Sequence, residues 1–416
     1  NTMKKIEYNF CWKRPYSVYY GAAAAVSGKN WVEDEVSHSV AVREDALSTW
    51  VCAYFEKNAL KQAITHLRKM LEENPGFLKA ELEKTRECGT AFIKFSKTIQ
   101  FTDKTPTEEL ISYHAKFYEH LVDYAFYLWK SFYLIEAASE LFEKFLEKKL
   151  AKKDVPQAII AYSKPSEKTG VLLMLDFFQK EGSDGKRVEF IEKKFPWIGS
   201  ADPFDPPLNR KQMLEYAKSF KPMKAGANAD FGLENEGGVK TFQEMLFVKD
   251  KKDEYRREAF YNASGLMKEL SKRLGVSLSE LGYLLPSDFE GFKGKKEEKI
   301  ELMRKIEERK LGCTIEVIEK NFSITGGKNV AAQFIENKNA LVNREVKGIS
   351  CCKGVSRGVA RVLLTKNDIR EFKAGSILVA TTTNAGYLLA MQKAAAFVTD
   401  EGGITCHAAI VSRELN

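Results

Sequence analysis

The sequence predicts a mainly α-helical amino-terminal region followed by a smaller α/β domain at the carboxyl end. Two observations carry that division. Between about residues 46 and 310, apolar side chains recur three and four positions apart, the spacing of one helix face. From Lys347 onward, short apolar runs alternate with helix-patterned ones, as in an α/β unit. The boundary is expected near 340–347, giving a helical domain over 1–345 and an α/β domain over 346–416.

Residues 1–45 show no clear period, and KRPYSVYYGAAAAVSGKNW reads as loops around a short packed segment. From about 46 to 150 the pattern is helical. Thr105 or Thr107 can cap a helix on which Leu110, Tyr113, Phe117, Leu121, Tyr124 and Leu128 share a face. An aromatic stripe at this spacing reads as core rather than as a cofactor box. His66, His114 and His120 lie on such helices without a second ligand nearby, so they read as structural or surface residues. Four prolines in FPWIGSADPFDPPLNR break the helices, and a new one is expected near Asn209.

In ANADFGLENEGGVKTF, Gly237 and Gly238 precede Lys240 and Thr241, but the G-x-x-x-x-G-K-[ST] spacing of a phosphate loop is absent, so a plain loop is expected. A long helix is expected over 251–274, burying Ala259, Ala263, Leu266, Met267, Leu270 and Leu274 and leaving Arg256 and Arg257 in solvent. Gly275 should end it. A charged helix over 294–310 leads into CTIEVIEKNFSI, whose two β-like runs predict a hairpin. In the α/β domain, GVARVLLT and SILVATTT read as buried strands, AAFVTD as another strand, and AGYLLAMQKA and CHAAIVSREL as helices.

A chain of 416 residues with 44% hydrophobic and 29% charged residues fits a soluble globular protein of two or three domains. The net charge of +8 arises in runs of mixed sign such as KKDEYRRE and RKIEERK, which are solvated helix faces rather than a nucleic-acid footprint. Cys11, Cys52, Cys88, Cys313, Cys351, Cys352 and Cys406 show no C-x-x-C pair, which argues against a disulfide framework or a zinc site. The most apolar stretch, YAFYLWKSFYLIEAASELF, is interrupted by Lys130, Glu136 and Glu140, and the basic start has no apolar core after it. A cytoplasmic protein with no membrane and no nucleic-acid partner is expected.

The chemistry concentrates in TDEGGITCHAAIVSREL. The strand before it ends at Asp400, Gly402 and Gly403 turn the chain, and a helix begins around Thr405 or Cys406. His407 then falls in the first helical turn. There the backbone N–H groups lack intrahelical partners and the helix dipole favours an anion. Backbone N–H groups around Gly402, Gly403, Thr405 and Cys406 can approach a phosphate closely, and a neutral imidazole can attack one without a base. On the spacing alone, the plainer reading, a polar residue at a helix start, is the favoured one.

The run AMQKAAAFVTDEGGITCHAAIVSREL resembles, nearly residue for residue, the phosphohistidine swivelling (mobile) domain of the phosphoenolpyruvate-utilising enzymes. That family includes phosphoenolpyruvate synthase (pyruvate, water dikinase), pyruvate phosphate dikinase and rifampicin phosphotransferase, and TCHAAI looks most like the synthase branch. KGISCCKGVSRGVARV and FKAGSILVATTT resemble the opening strands of the same domain, so the likeness covers 346–416. A weaker resemblance links FPWIGSADPFDPPLNRKQMLEYAKSF and YRREAFYNASGLMKELSKRLGVSLSELGYLLPSDF to the helical substrate-binding or linker segment of rifampicin-phosphotransferase-like members.

The resemblance implies a swivelling β/β/α domain, incomplete at its carboxyl end, with His407 as the catalytic residue carrying a phosphoryl group between remote sites. Gly402 and Gly403 match the glycine pair beside it, and Thr405 and Cys406 complete the phosphate-binding stretch. Thr405 matches a regulatory threonine that is phosphorylated in the synthase and dikinase branches. A dianion there would repel incoming phosphate. Cys406 matches the synthase cysteine, with a packing role. The proline common in the family after the ILVA strand is missing from TTTNAG.

No ATP-grasp nucleotide domain is legible in 1–345, and no phosphoenolpyruvate barrel follows. The expectation is therefore a phosphotransferase component, inactive alone, that binds no metal or cofactor itself. ATP and Mg²⁺ would sit in a missing domain or a separate ATP-grasp chain, and the acceptor would be a small molecule. The competing reading is a non-catalytic binding or scaffold protein that keeps the domain's shape. The Gly-Gly-x-Thr-Cys-His run argues against it, since a scaffold needs no exposed imidazole.

Overall fold

The structure is a computed structural model that describes residues 8–14, 16–28, 38–43, 51–56, 59–74, 76–218, 220, 230–318, 321–328, 330, 348–352, 354–363, 368–369, 371–383, 387–400 and 406–415. In chain order the described elements begin with β1 (Tyr8–Arg14), α1 (Val18–Gly28), β2 (His38–Arg43) and β3 (Val51–Glu56). Helices α2 (Ala59–Glu73), α3 (Phe77–Thr98) and α4 (Thr107–Glu147) follow, then α5 (Val155–Tyr162), α6 (Gly170–Lys180), α7 (Asp184–Lys194) and α8 (Arg210–Lys218). Next come α9 (Gly237–Leu274), α10 (Leu278–Leu281), α11 (Lys296–Lys310), β4 (Cys313–Ile318) and β5 (Asn321–Gly326). The carboxyl end holds β6 (Ala360–Val362), β7 (Ile377–Ala380), α12 (Leu388–Lys393), β8 (Ala396–Thr399) and α13 (His407–Leu415). A mainly α protein with a small C-terminal α/β region is what the sequence predicts.

The chain forms two compact units. One comprises Asn1–Ala137, Ser200–Pro206 and Tyr255–Asn343, the other Ala138–Gly199, Pro207–Glu254 and Arg344–Asn416, so α4 and α9 supply residues to both.

The first unit contains a five-stranded sheet in the order β1-β3-β2-β4-β5, with every described pairing antiparallel. The β4–β5 hairpin lies where the sequence places it. Strands β1 to β3 correct the expectation of loops to 45 and helix from 46. Helix α1 packs on this sheet, and Tyr19, Tyr20, Ala22 and Ala23 are wholly buried. A helix apolar on every side shows no amphipathic period, which is why it reads only as a packed segment. Gly21 permits the close approach, since a Cβ there would lie 2.9 Å from Val51 Cγ1.

The core of this unit is aromatic. Phe260 of α9 meets Tyr20, Phe92 and Phe117 at ring-centroid distances of 5.4, 6.3 and 6.2 Å. Leu110, Phe117, Leu121, Tyr124 and Leu128 of α4 are buried against it, as their spacing predicts. So are Ala259, Ala263, Leu266, Met267, Leu270 and Leu274, each leucine contributing about 1.5–3 kcal/mol of burial. Gly275, at φ +75°, ends α9: its N–H donates to Lys272 O and that of Val276 to Ser271 O.

Arg256 and Arg257, expected in solvent, are buried at 2% and 0% exposure. Arg256 Nη1 donates to Tyr20 Oη at 3.0 Å and Tyr16 Oη at 3.3 Å, and its guanidinium sits 5.3–5.7 Å from the rings of Tyr16, Tyr20 and Phe260. At Arg256, aromatic faces and phenolic oxygens replace the water that the helical periodicity assigns to it.

In the second unit, Phe142 of α4 stacks on Phe242 of α9 at 3.9 Å. Val239, Met245 and Leu246 are also buried, so α9 begins at Gly237 and GGVKTF is its first turns rather than a loop. Glu254 accepts from Val171 N–H at 3.3 Å and pairs with Lys251 at 2.8 Å. The α/β portion holds a parallel sheet in the order β6-β7-β8. Leu378 and Ala380 of β7 are buried, as are Ala390 and Met391 of α12 and Ala408, Ala409 and Val411 of α13. The sheet's other face is open: Val362 and Val398 are 58% and 49% exposed, so β6 is not the fully buried strand expected. Among the described residues, no helix is long and apolar enough to cross a membrane.

Candidate functional site

Strand β8 delivers the chain to the site. Beyond Thr399 the ladder extends one step, with Asp400 N–H donating to Ala380 O at 3.2 Å. Residues 401–405 follow, and the predicted phosphate-binding residues Gly402, Gly403 and Thr405 lie outside the described residues. The chain resumes at Cys406, and His407 is the first residue of α13. The structure thus places the His407 backbone in the first turn of a helix, where the strand–glycine–helix pattern puts it. The imidazole itself lies outside the described part.

Cys406 takes a more active part than packing. Its Sγ accepts the Ala409 N–H at 3.4 Å, so the thiol caps the helix that begins with His407. Serine or threonine usually fills this role. Ala408 and Ala409 are buried, so the first turn is anchored from below.

The segment 348–352 lies along α13. Cys351 O accepts from Arg413 Nη1 at 3.3 Å, and Cys352 Sγ donates to Ser412 O at 3.7 Å. Burial pushes the Cys351 thiol up from its ordinary value, the nearby Cys406 adds to that, and Arg413 opposes it. From α9, Lys249 also senses Cys406 and Arg413. Burial lowers its ammonium, while neighbouring Asp250 works the other way. Burial in turn pushes Asp250 up to about 6, against the pull of Lys249. The sequence offered no pointer to Lys249 or Asp250, because a KDKKDE run reads as a solvated face. Among the described residues, no group of three or more His, Cys, Asp or Glu side chains has a metal-holding arrangement.

His66 is exposed, His120 stacks on Phe95 at 4.1 Å, and His114 is wholly buried in the first unit.

Residues 372–416 match the family described as PEP-utilising enzyme, mobile domain. The C-terminal region carries this mobile domain. Its segment is 49% identical over 70 residues to a probable phosphoenolpyruvate synthase of Archaeoglobus fulgidus, covering 17% of this chain and 9% of that protein. It is 50% identical over 70 residues to the phosphoenolpyruvate synthase of Pyrococcus furiosus, with the same coverage of 17% and 9%. A probable phosphoenolpyruvate synthase of Staphylothermus marinus is 47% identical over 87 residues, 20% of this chain and 10% of the relative. The likeness thus spans about a tenth of these relatives' length and lies in the C-terminal part of this chain.

Proposed function

We propose that this chain is a phosphotransferase component whose mobile domain carries a phosphoryl group on His407 between a donor site and an acceptor site. The observation that carries the reading is the position of His407 as the first residue of α13, inside a segment that matches the mobile domain. A helix amino terminus stabilises an added dianion through unpaired N–H groups and the macrodipole. Imidazole is nucleophilic without a dedicated base, so the position suits reversible phosphoryl transfer. Gly402, Gly403, Thr405 and Cys406 supply the backbone that lines the phosphate, and a phosphate on Thr405 switches the carrier off by repulsion.

The helical region before 346 is a substrate-binding or linker module in this reading. The donor is ATP or phosphoenolpyruvate and the acceptor a small molecule. ATP and Mg²⁺ are bound by a nucleotide domain outside these residues, on the same or another chain. The clamps that stabilise a transferring phosphoryl group belong there.

The test is phosphate incorporation from labelled ATP or phosphoenolpyruvate, with the nucleotide domain of a phosphoenolpyruvate synthase supplied in trans. The expected label is acid-labile and base-stable and disappears in His407→Ala. Label that persists in that variant assigns the carrier role to another residue. Purified alone, the chain should turn over neither donor.

A further inference from the structure

The two outer strands of the five-stranded sheet, β1 and β5, are built in opposite ways. Strand β1 has a register shift between Phe10 and Trp12, and its sequence ends in Lys13 and Arg14. A bulge and charged residues are the usual devices that keep an outer strand from pairing further. Strand β5 has neither. Its register against β4 runs without a shift from Asn321 opposite Ile318 to Gly326 opposite Cys313, and NFSITG holds no charge and no proline. Among the described residues, β4 is the only strand paired with it.

Register decides which backbone groups of β5 face outward. Gly327 N–H donates to Gly312 O at 3.0 Å, and these two residues continue the β4–β5 register by one step. Hydrogen-bonded pairs alternate along an antiparallel ladder, so Ser323 and Thr325 also turn their N–H and C=O groups to β4. Phe322, Ile324 and Gly326 turn theirs to the open side. Ile324 packs on the aromatic core, whereas Phe322, Ser323 and Thr325 are exposed.

We propose that β5 pairs with β5 of a second copy of this chain, antiparallel across a twofold axis at Ile324, joining two sheets into one. A twofold contact must fit itself, with residue i on j and j on i. Strand β5 meets that condition at each position. Pairing about Ile324 sets this residue against its own copy and Phe322 against Gly326 of the copy. Every outward N–H then meets an outward carbonyl. Ser323 lies opposite Thr325 of the copy, a hydroxyl pair of the kind that stabilises cross-strand contacts. Opposite the Phe322 ring stands a glycine rather than a second large side chain. That position has to stay small, since a Cβ at Gly326 would lie 3.1 Å from Arg309 Cγ and 3.2 Å from Arg309 N of α11. With no charge in the strand, the axis brings no like charges together. Self-pairing is favoured over capture of a foreign peptide because nothing in β5 would select one by charge.

The first measurement is sedimentation velocity of the full chain over a dilution series. The expected result is a monomer–dimer equilibrium that reverses on dilution. Ser323→Lys with Thr325→Lys sets like charges opposite each other and should weaken dimerisation by about tenfold or more. Ser323→Lys with Thr325→Glu sets opposite charges together and should restore it. Both positions are exposed, so both variants should melt at the wild-type temperature. A chain that stays monomeric at every concentration overturns the proposal. So does a dimer that the two double variants leave equally strong, because its contact lies elsewhere.

Hydrogen exchange on the wild type supplies a readout independent of any variant. Raising the concentration should slow exchange at the Phe322, Ile324 and Gly326 amides, and leave Ser323 and Thr325, already bonded to β4, unchanged. Dimerisation without that alternating protection overturns the β5 pairing.

Discussion

The aromatic core of the first unit and the parallel sheet of the second solve the same burial problem to different degrees. Around Phe260, apolar and charged groups alike are enclosed: Arg256 lies among aromatic rings and Arg309 lies on Asp288. In the β6-β7-β8 sheet, Val362, Val379 and Val398 pair side by side across the strands, and the outer two are about half exposed. Parallel sheets generally bury both faces. The first region is built to hold its own shape, and the second presents one face to whatever approaches it. Internal polar groups should therefore control stability in the first, while surface changes in the second should leave stability alone.

The largest effect expected is at Asp288. Its carboxylate accepts from Arg309 Nη2 at 2.9 Å and Leu285 N–H at 2.8 Å, with Lys305 at 3.2 Å. Burial pushes its pKa up, but these hydrogen bonds and charges outweigh that and hold it below the ordinary value. Asp288→Ala strands the buried Arg309 cation and should cost about 3–5 kcal/mol in denaturant unfolding. A cost under about 1 kcal/mol would mean that water reaches Arg309, and the contrast between the regions would fail.

His114 supplies a finer test. Its ring lies against Tyr19 and Phe289 at 4.9 and 5.5 Å, and neither ring nitrogen has a hydrogen-bond partner among the described residues. Burial lowers its pKa from 6.5 to about 3, against a weak upward pull from Asp288. The folded state keeps the imidazole neutral while the unfolded chain takes up a proton below 6.5. Stability should thus fall by up to about 1.4 kcal/mol per pH unit between 6.5 and about 3. His114→Phe should remove this component of the slope. An unchanged pH profile in that variant would place the acid sensitivity elsewhere.

The smallest effect belongs to the open sheet. Val398→Ser should change stability by no more than about 0.5 kcal/mol, because half of the side chain is already in water. A loss on the scale of a core leucine would show that the face is covered in solution.

How much the sequence revealed follows from the physics of each element. The face of α9 was legible because six apolar residues fall on one helical stripe, and the hairpin because two β-like runs flank a polar turn. Helix α1 hid because alanines and tyrosines on all sides carry no period. Strand β2 hid because one of its partners, β4, lies far along the chain. Arg256 was misplaced because charge predicts exposure only until aromatic rings substitute for solvent. At the site, a strand, two glycines and a helix were enough to put His407 at a helix start. The capping sulfur of Cys406 and the neighbourhood of Cys351 depend on a third segment folding back, and no local pattern encodes that.

The five-stranded sheet also sets an order of events during synthesis. Strand β2 pairs with β3 nearby, but its other edge is completed only by β4, from His38 against Ile318 to Arg43 against Cys313. At translation rates of about 5–20 residues per second, β2 waits roughly 15–60 s for that partner to leave the ribosome. Throughout this interval the β1-β3-β2 ribbon has an unpaired edge able to recruit a foreign strand. A nascent chain stalled before residue 313 should be a better client for chaperones than one released after 326.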